Sequence, residues 1–349
     1  MTTPVDIPFQ QLLDALLDVD TPFHPRFLYR LSDLDQVDLV KLEQVWTSVP
    51  TWRRQALMED VEELGEKDYL LSFEALARLA VHDSDPRVRL LAVRTLWEYE
   101  HKDLISLFLD LLEADRDEEV QAGAASALGR FVYAGELEEI PSETLHEIED
   151  RLLRVTQDAS SVLIRRRALE SLGFSSREEV AGLIESAYTS GSKDWMVSAL
   201  LAMGRSANER WEPQVLAMLE SSQTAIRSEA VRAAGELEIS ESVPHLLELL
   251  DDPEDSVRFA SIWSLSQIGG EGVGEALQQL FETTEDEEEA EYIETALENL
   301  AFTEGAPPLR LLDLPEGDVE EDDLDLDLDL DLEDELFDLL AEDDEDLID

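Results

Sequence analysis

The feature that most constrains this chain is an internal repeat with a period of about 31 residues. Each copy has an acidic turn, then an apolar residue usually followed by Arg, then small residues at helical spacing. One position of the repeat is occupied by Leu96, Leu128, Leu172, Met203, Ala234, Leu265 and Leu297, with steps of 32, 44, 31, 31, 31 and 32 residues. Such a period is typical of stacked supersecondary units that each contact only their neighbours.

Each copy is predicted to be a pair of helices. Apolar residues recur three and four positions apart before the acidic turn, as in Val243, Leu246, Leu247 and Leu250. The second stretch of each copy carries small residues such as Ala92. Small side chains let neighbouring helices lie close together, so the pattern predicts an all-α fold of stacked helix pairs.

Several helix boundaries are marked by local signals. Asp85 before Pro86 and Asp252 before Pro253 both have the pattern of an N-cap followed by a first-turn proline. Ser176 with Glu179 has the spacing of a capping box. The single 44-residue step indicates an insertion at residues 133–143, which we expect to form a longer loop.

Residues 243–253, which run into Val257-Arg258, resemble the short HEAT repeat of the PBS-lyase HEAT-like (phycobilin-lyase-like) family. The resemblance covers roughly residues 70–302 and implies a HEAT-type α-solenoid, a superhelix of about seven helix pairs. It also implies that an Asp before each second helix and an Arg within it pair across adjacent repeats. Two copies have these residues six positions apart, Asp83 with Arg89 and Asp252 with Arg258. Two copies depart from the pattern, because Gln121 and Met196 occupy the Arg position.

The chain is expected to have three parts. Residues 1–69 are helical in pattern but off the repeat register, and we interpret them as an N-terminal cap of the solenoid, a separate functional domain being the alternative. Residues 70–303 form the solenoid. Residues 304–349 form an acidic, Asp/Leu-rich tail that we predict to be disordered, because carboxylate repulsion opposes compaction.

The end of the tail has a different pattern from its middle. Residues 324–332 alternate Leu with Asp, whereas the apolar residues that follow have helical spacing. This recognition element consists of Leu332, Leu336, Phe337, Leu339 and Leu340. It is either part of a solvated, solubilising extension or a segment that folds in the groove of a partner.

The charge of the chain restricts its partners. The formal net charge is −58, from 84 acidic and 26 basic residues, and 21 of the acids follow Leu312 without any base. Such a surface repels nucleic acid and anionic membranes, so we expect a protein partner with a basic or mixed surface. Salt adaptation is the alternative cause of the acidity. We expect a cytoplasmic protein, because the first 20 residues lack a basic segment and no apolar run approaches 18 residues.

The sequence offers no recognisable catalytic or metal-binding set, so we expect neither an enzyme nor a cofactor. Cys is absent, and the five His residues are scattered. The architecture is similar to that of HEAT-type deoxyhypusine hydroxylases, which hold two irons with paired His-Glu motifs. Only His146-Glu147 occurs here, so that assignment is rejected.

Two surfaces are candidate binding sites. In HEAT folds the second helices line the concave face, and the register places Val197, Leu201, Phe259 and Trp263 there, although packing between repeats would also explain them. Arg166 and Arg167 belong to the densest basic cluster, with Arg151, Arg154 and Arg165, and could meet an acidic segment such as the tail.

The sequence therefore favours a non-catalytic scaffold that binds a protein on its concave face, with the tail modulating binding. An accessory subunit of a phycobilin-lyase-like enzyme is the second possibility. An acidic chaperone or nucleic-acid mimic is the third.

Overall fold

The computed structural model describes residues 7–303, apart from the side chain of Glu288. Within that range the chain is helical and contains no strand, so the predicted all-α class is confirmed. The predicted tail, residues 304–349, and its recognition element lie outside the described residues.

Contacts divide the chain into two compact units, Met1–Ser176 and Arg177–Asp349. The helices of the first unit are α1 Phe9–Leu17, α2 Gln36–Trp46, α3 Thr51–Lys67, α4 Glu74–Ala80, α5 Pro86–Trp97, α6 Asp103–Ala114, α7 Glu118–Glu136, α8 Ser142–Asp158 and α9 Val162–Leu172. Those of the second unit are α10 Glu178–Tyr188, α11 Lys193–Arg205, α12 Glu212–Met218, α13 Thr224–Glu236, α14 Val243–Leu249, α15 Asp255–Ile268, α16 Val273–Thr283 and α17 Glu287–Thr303.

Each unit is a stack of antiparallel helix pairs. In the first unit, α3, α5, α7 and α9 pack on one another in turn, and in the second unit α11, α13, α15 and α17 do the same. From α5 onward, each of these second helices also packs on the first helix of its own pair, as α7 does on α6 and α15 on α14. This is the HEAT-type α-solenoid arrangement that the repeat predicts.

The N-terminal segment continues this stack, although its sequence is off the repeat register. Helix α3 packs on α5 as another second helix, and Trp46 Nε1 of α2 donates to Asp83 Oδ2 at 2.7 Å. Arg53 holds the preceding segment by donating to the carbonyls of Ala15 and Thr21, both at 2.9 Å. The division at residue 69 between cap and solenoid remains a prediction.

The predicted long loop at residues 133–143 is wrong. Helices α7 and α8 extend into the insertion with 19 and 17 residues, and only residues 137–141 connect them. Residues 131–136 contain no Pro and include Phe131, Val132 and Gly135, which are buried against the neighbouring helices. The inserted residues therefore lengthen both helices.

One of the three predicted helix starts is confirmed. Asp85 caps α5 by accepting from Val88 N at 3.2 Å. Asp252-Pro253 is not a helix start, because α15 begins at Asp255. The predicted capping box is also wrong, since α10 begins at Glu178 after Arg177, with no side-chain cap hydrogen bond.

Successive second helices approach so closely that their contact positions admit only hydrogen or a small side chain. A Cβ atom added to Gly129 would lie 2.9 Å from Ser171 Oγ, and one added to Gly235 would lie 2.6 Å from Ser264 Oγ. Ser171 Oγ donates to the Ala125 carbonyl, and Ser264 Oγ donates to the Val231 carbonyl, both at 2.8 Å. The same contact thus recurs in both units, and in each the accepting carbonyl lies four residues before the Gly.

The same substitution at two glycines is predicted to have opposite effects on stability. Gly235→Ala should destabilise by about 1–3 kcal/mol, because the new methyl overpacks the contact with α15. Gly182→Ala should stabilise by about 0.5–1 kcal/mol, because Gly182 lies in the interior of α10 with nothing within 4 Å of its missing Cβ. Urea unfolding followed by circular dichroism measures both. Equal changes in the free energy of unfolding for the two variants would show that α13 and α15 are not in close contact.

Candidate protein-binding surfaces

The side chains that join adjacent repeats are arginines and aspartates. Arg89 donates from Nε and Nη2 to both carboxylate oxygens of Asp115 in the next repeat, at 2.8 and 2.7 Å. Its Nη1 donates to the Asp83 carbonyl of its own repeat at 3.0 Å. One guanidinium therefore joins two successive turns, and we call this contact a rung.

A second rung has the same geometry in the second unit. Arg227 donates to the two carboxylate oxygens of Asp252 at 2.8 and 3.0 Å, and to the Ser221 carbonyl at 2.6 Å. Both pairs are largely shielded from solvent, with side-chain exposures of 13–14% for Arg and 7% for Asp. Bidentate geometry and shielding from water make such pairs stronger than surface ion pairs.

The prediction that Asp and Arg pair across adjacent repeats is confirmed by these rungs. Within one repeat, Arg89 donates to the backbone carbonyl of Asp83 and not to its carboxylate. The Asp83 carboxylate instead accepts from Arg54 Nη2 of the preceding helix α3, at 3.0 Å. Arg258 likewise binds the Asp252 carbonyl at 3.2 Å. The six-residue spacing from Asp to Arg therefore identifies which residues form rungs, but each rung Arg pairs with the Asp of the next repeat and not with the Asp of its own repeat.

Each rung aspartate also organises its own turn. Asp115 Oδ1 accepts from Asp117 N at 2.9 Å, and Asp252 Oδ1 accepts from Glu254 N at 3.0 Å. Burial raises the pKa of both carboxyls, but the hydrogen bonds from Arg and from the backbone outweigh it and hold each pKa below its ordinary value. Both groups therefore stabilise the fold as carboxylates.

One rung is missing in the first unit. Gln121 occupies the Arg position, and its Nε2 donates only as far as the Leu112 carbonyl of its own repeat, at 2.9 Å. In the next repeat Ala159 stands five residues before Ile164, where the intact rungs have Asp five residues before Val120 and Val257. Both residues of the rung are therefore replaced. Ala159 at the Asp position can be recognised from the sequence once the five-residue spacing is known from the intact rungs.

A cleft opens at the missing rung. It has a volume of about 530 Å³, whereas the cleft beside the intact rung of Arg227 has about 290 Å³. Leu112, Gln121, Val155 and Ile164 contribute to its lining. The space that an Arg–Asp pair occupies elsewhere is thus available between α6 and α8.

Two arginines of the predicted basic cluster stand at the edge of this cleft. Arg151 and Arg154 share one carboxylate, Glu113, which Arg151 contacts closely and Arg154 approaches at 3.8 Å. The side chain of Arg154 is 58% exposed. Arg166 and Arg167 lie on α9 and are half-buried, and Arg167 Nη1 donates to Glu170 at 3.0 Å.

The four predicted apolar residues lie on two helices of the second unit. Val197 and Trp263 are half-buried, but Leu201 is only 8% exposed and its side chain is not available at the surface. Phe259 is half-buried and packs edge-on against Tyr292 of α17, with ring centroids 5.1 Å apart. This contact is packing between repeats, the alternative that the sequence left open.

Helix α13 lies between α11 and α15, so its surface residues decide whether the apolar residues of α11 and α15 form one continuous surface. Its residues at the equivalent positions are Ser228 and Arg232, and both are buried. Phe259 and Trp263 on α15 are therefore separated at the surface from Val197 on α11.

Within residues 7–303, no three His, Asp or Glu side chains are grouped in a way that could hold a metal ion. In the same part of the chain, no helix has both the length and the apolar character needed to cross a membrane.

Comparison with known protein families identifies HEAT repeats at residues 73–142 and 212–301. Among curated proteins, epoxyqueuosine reductase of Bacillus cereus is 34% identical over 77 residues, which are 22% of this chain and 20% of the reductase. The corresponding reductase of Bacillus anthracis is 32% identical over the same shares. The chain thus spans about one fifth of the length of these relatives.

Two solved structures are similar in fold. The complex of CpcE and CpcF of phycocyanin lyase from Nostoc sp. PCC7120 has a TM-score of 0.44 at 19% identity, over 65% of this chain and 94% of that one. Importin beta has a TM-score of 0.39 at 14% identity, over 86% of this chain and 47% of that one.

Removing a rung carboxylate is predicted to destabilise the first unit in a pH-dependent way. Asp115→Asn should cost about 1.5–3 kcal/mol at pH 7, because Arg89 loses an ionised partner. The pKa of Asp115 is lowered by folding, so its contribution is present above the unfolded value of about 3.9 and is lost as pH falls through the folded pKa. The difference from wild type, measured by urea unfolding between pH 7 and 3, should therefore shrink below about pH 4. Asp110→Asn, at an exposed site on α6, is the control and should change little.

Proposed function

We propose that this chain is a non-catalytic scaffold that binds another protein on the face formed by its second helices, and that the acidic tail modulates this binding. The repeats are of the PBS-lyase HEAT-like kind on this proposal, preceded by the cap of residues 1–69. The proposed setting is the cytoplasm.

The observation that carries the proposal is the pair of aromatic side chains on α15. Phe259 and Trp263 lie four residues apart, on the same face of the helix, and both remain partly exposed although Phe259 packs on Tyr292. Aromatic side chains that are partly buried before binding lose little conformational entropy, which is why they are common anchors at interfaces.

The charged residues of the repeats support a structural rather than a chemical role. Largely buried arginines and aspartates bind one another in rungs, as Arg89 with Asp115 and Arg227 with Asp252 do. With a net charge of −58, a partner with a basic or mixed surface would be attracted and an acidic one repelled.

Replacing the aromatic pair is predicted to weaken partner binding strongly. The partner is first identified by cross-linking and mass spectrometry in extracts of cells that make this protein. Phe259→Ala with Trp263→Ala should then weaken binding about thirtyfold or more, as for interface anchors of at least about 2 kcal/mol. Phe281→Ala with Phe302→Ala, at two exposed positions of the same unit, is the matched control.

Deleting residues 304–349 separates the alternatives. A scaffold keeps its partner without the tail, whereas an acidic chaperone or nucleic-acid mimic loses it. A partner that is a subunit of a pigment-attaching enzyme would favour the accessory role. Equal binding by the aromatic variant and its control would contradict the proposed face.

A further inference from the structure

The intact rungs show which chemical group would occupy the position of the missing rung. At Asp115 and at Asp252 a carboxylate accepts two hydrogen bonds from the preceding repeat's arginine and one from the backbone amide two residues further along. The rung position is therefore a site for a carboxylate that the chain itself usually supplies. Where the chain supplies none, a carboxylate from elsewhere can take its place.

The gap between α6 and α8 has such a position. Ala159 provides no carboxylate for the amide of Ser161, which corresponds to Asp117 and Glu254 at the intact rungs. Ser161 is the N-cap of α9, and its own side chain makes no cap hydrogen bond. On the other side Gln121, with an uncharged amide, replaces the guanidinium.

The cleft also offers groups that hold an acidic, apolar chain segment. Leu112 and Ile164 are buried at its lining, and Val155 is half-buried, so the cleft has an apolar part. Arg154 is largely exposed and meets Glu113 only at 3.8 Å, an exposed contact that contributes little. A second carboxylate could therefore bind Arg154 without breaking a strong pair, although Asp158, also at the cleft, opposes it.

We propose that the chain's own C-terminal segment, residues 332–340, docks in this cleft and that one of its carboxylates completes the missing rung. The inference rests on the proposed function, because it states where the tail that modulates binding is held. It concerns α6, α8 and α9, not the aromatic pair on α15.

The composition and length of the tail favour this occupant. Residues 332–340 combine four acids, Glu333, Asp334, Glu335 and Asp338, with five apolar residues. The cleft offers both kinds of contact, since its mixed lining includes Leu112, Val155 and Ile164 together with Arg151 and Arg154, although Glu113 and Asp158 also lie there. The 28 residues between Thr303 and Leu332 can span up to about 90 Å when extended. A tether also keeps the local concentration of the segment high, so that weak contacts suffice.

The test attaches a fluorophore to the tail of the full-length protein. The chain has no Cys, so Ala341→Cys gives a single labelling site just beyond the segment. Fluorescence anisotropy then reports the docked fraction of the tail at low salt. We expect a high value that falls as salt screens the carboxylates.

Restoring the rung is the decisive variant. Gln121→Arg with Ala159→Asp should fill the cleft, lower the docking constant about tenfold or more, and leave the melting temperature unchanged or raised. Because the variant is not destabilised, loss of docking cannot be attributed to misfolding. The matched control is Met196→Arg with Ser221→Asp, which builds a rung at another interrupted position and should leave the anisotropy unchanged.

A second pair of variants provides an independent test in case the protein with the restored rung does not fold. Arg151→Gln with Arg154→Gln should lower the anisotropy, whereas Arg87→Gln with Arg130→Gln, two arginines also paired with surface glutamates, should not. Equal anisotropy in wild type and in both cleft variants would overturn the proposal. Anisotropy that rises with protein concentration would assign the tail to a second copy and also overturn it. Partner capture by the aromatic pair is measured separately, so the proposed function can stand if tail docking fails.

Discussion

The close approach of successive second helices is the constraint on which the rest of the structure depends. A helix pair of this size cannot bury its own apolar faces, so each pair relies on its neighbours. Ser171 against Gly129 and Ser264 against Gly235 show how near the helices come, since even one methyl group does not fit. At that distance backbone turns of adjacent repeats lie within reach of one arginine, which is why Arg89 and Arg227 can each bind two of them.

The rungs connect this packing to the proposed binding. Each intact rung uses a charged pair to close the gap between neighbouring turns, and it neutralises an aspartate that would otherwise add to the acid excess. Gln121 and Ala159 leave one gap open, and the cleft there is larger than the cleft beside Arg227. A repeat protein can thus gain a binding site by losing a structural contact. In a strongly acidic chain, Arg151 and Arg154 are two of the few basic groups at such a cleft, where Glu113 and Asp158 also lie.

The sequence was sufficient for the repeated features and insufficient for the local ones. The period and the Asp and Arg positions predicted the stacked pairs and the rungs, because packing repeats them in every copy. The insertion at 133–143 was misjudged, since its length did not show that α7 and α8 continue into it. The Asp252-Pro253 pattern is typical of a helix cap, whereas the Asp252 carboxylate binds Arg227. The burial of Leu201 depends on neighbours distant in sequence, and helical register alone could not reveal it.

Residue-resolved amide hydrogen exchange of the unmodified protein tests most directly whether the rungs hold the turns between repeats. The amides of Asp117 and Glu254 donate to rung carboxylates, whereas Ser161 occupies the corresponding position two residues after Ala159, which has no carboxylate. At high salt, which would screen the proposed docking of the tail, we predict that the amides of Asp117 and Glu254 exchange at least about tenfold more slowly than that of Ser161. Equal protection at all three amides would contradict it.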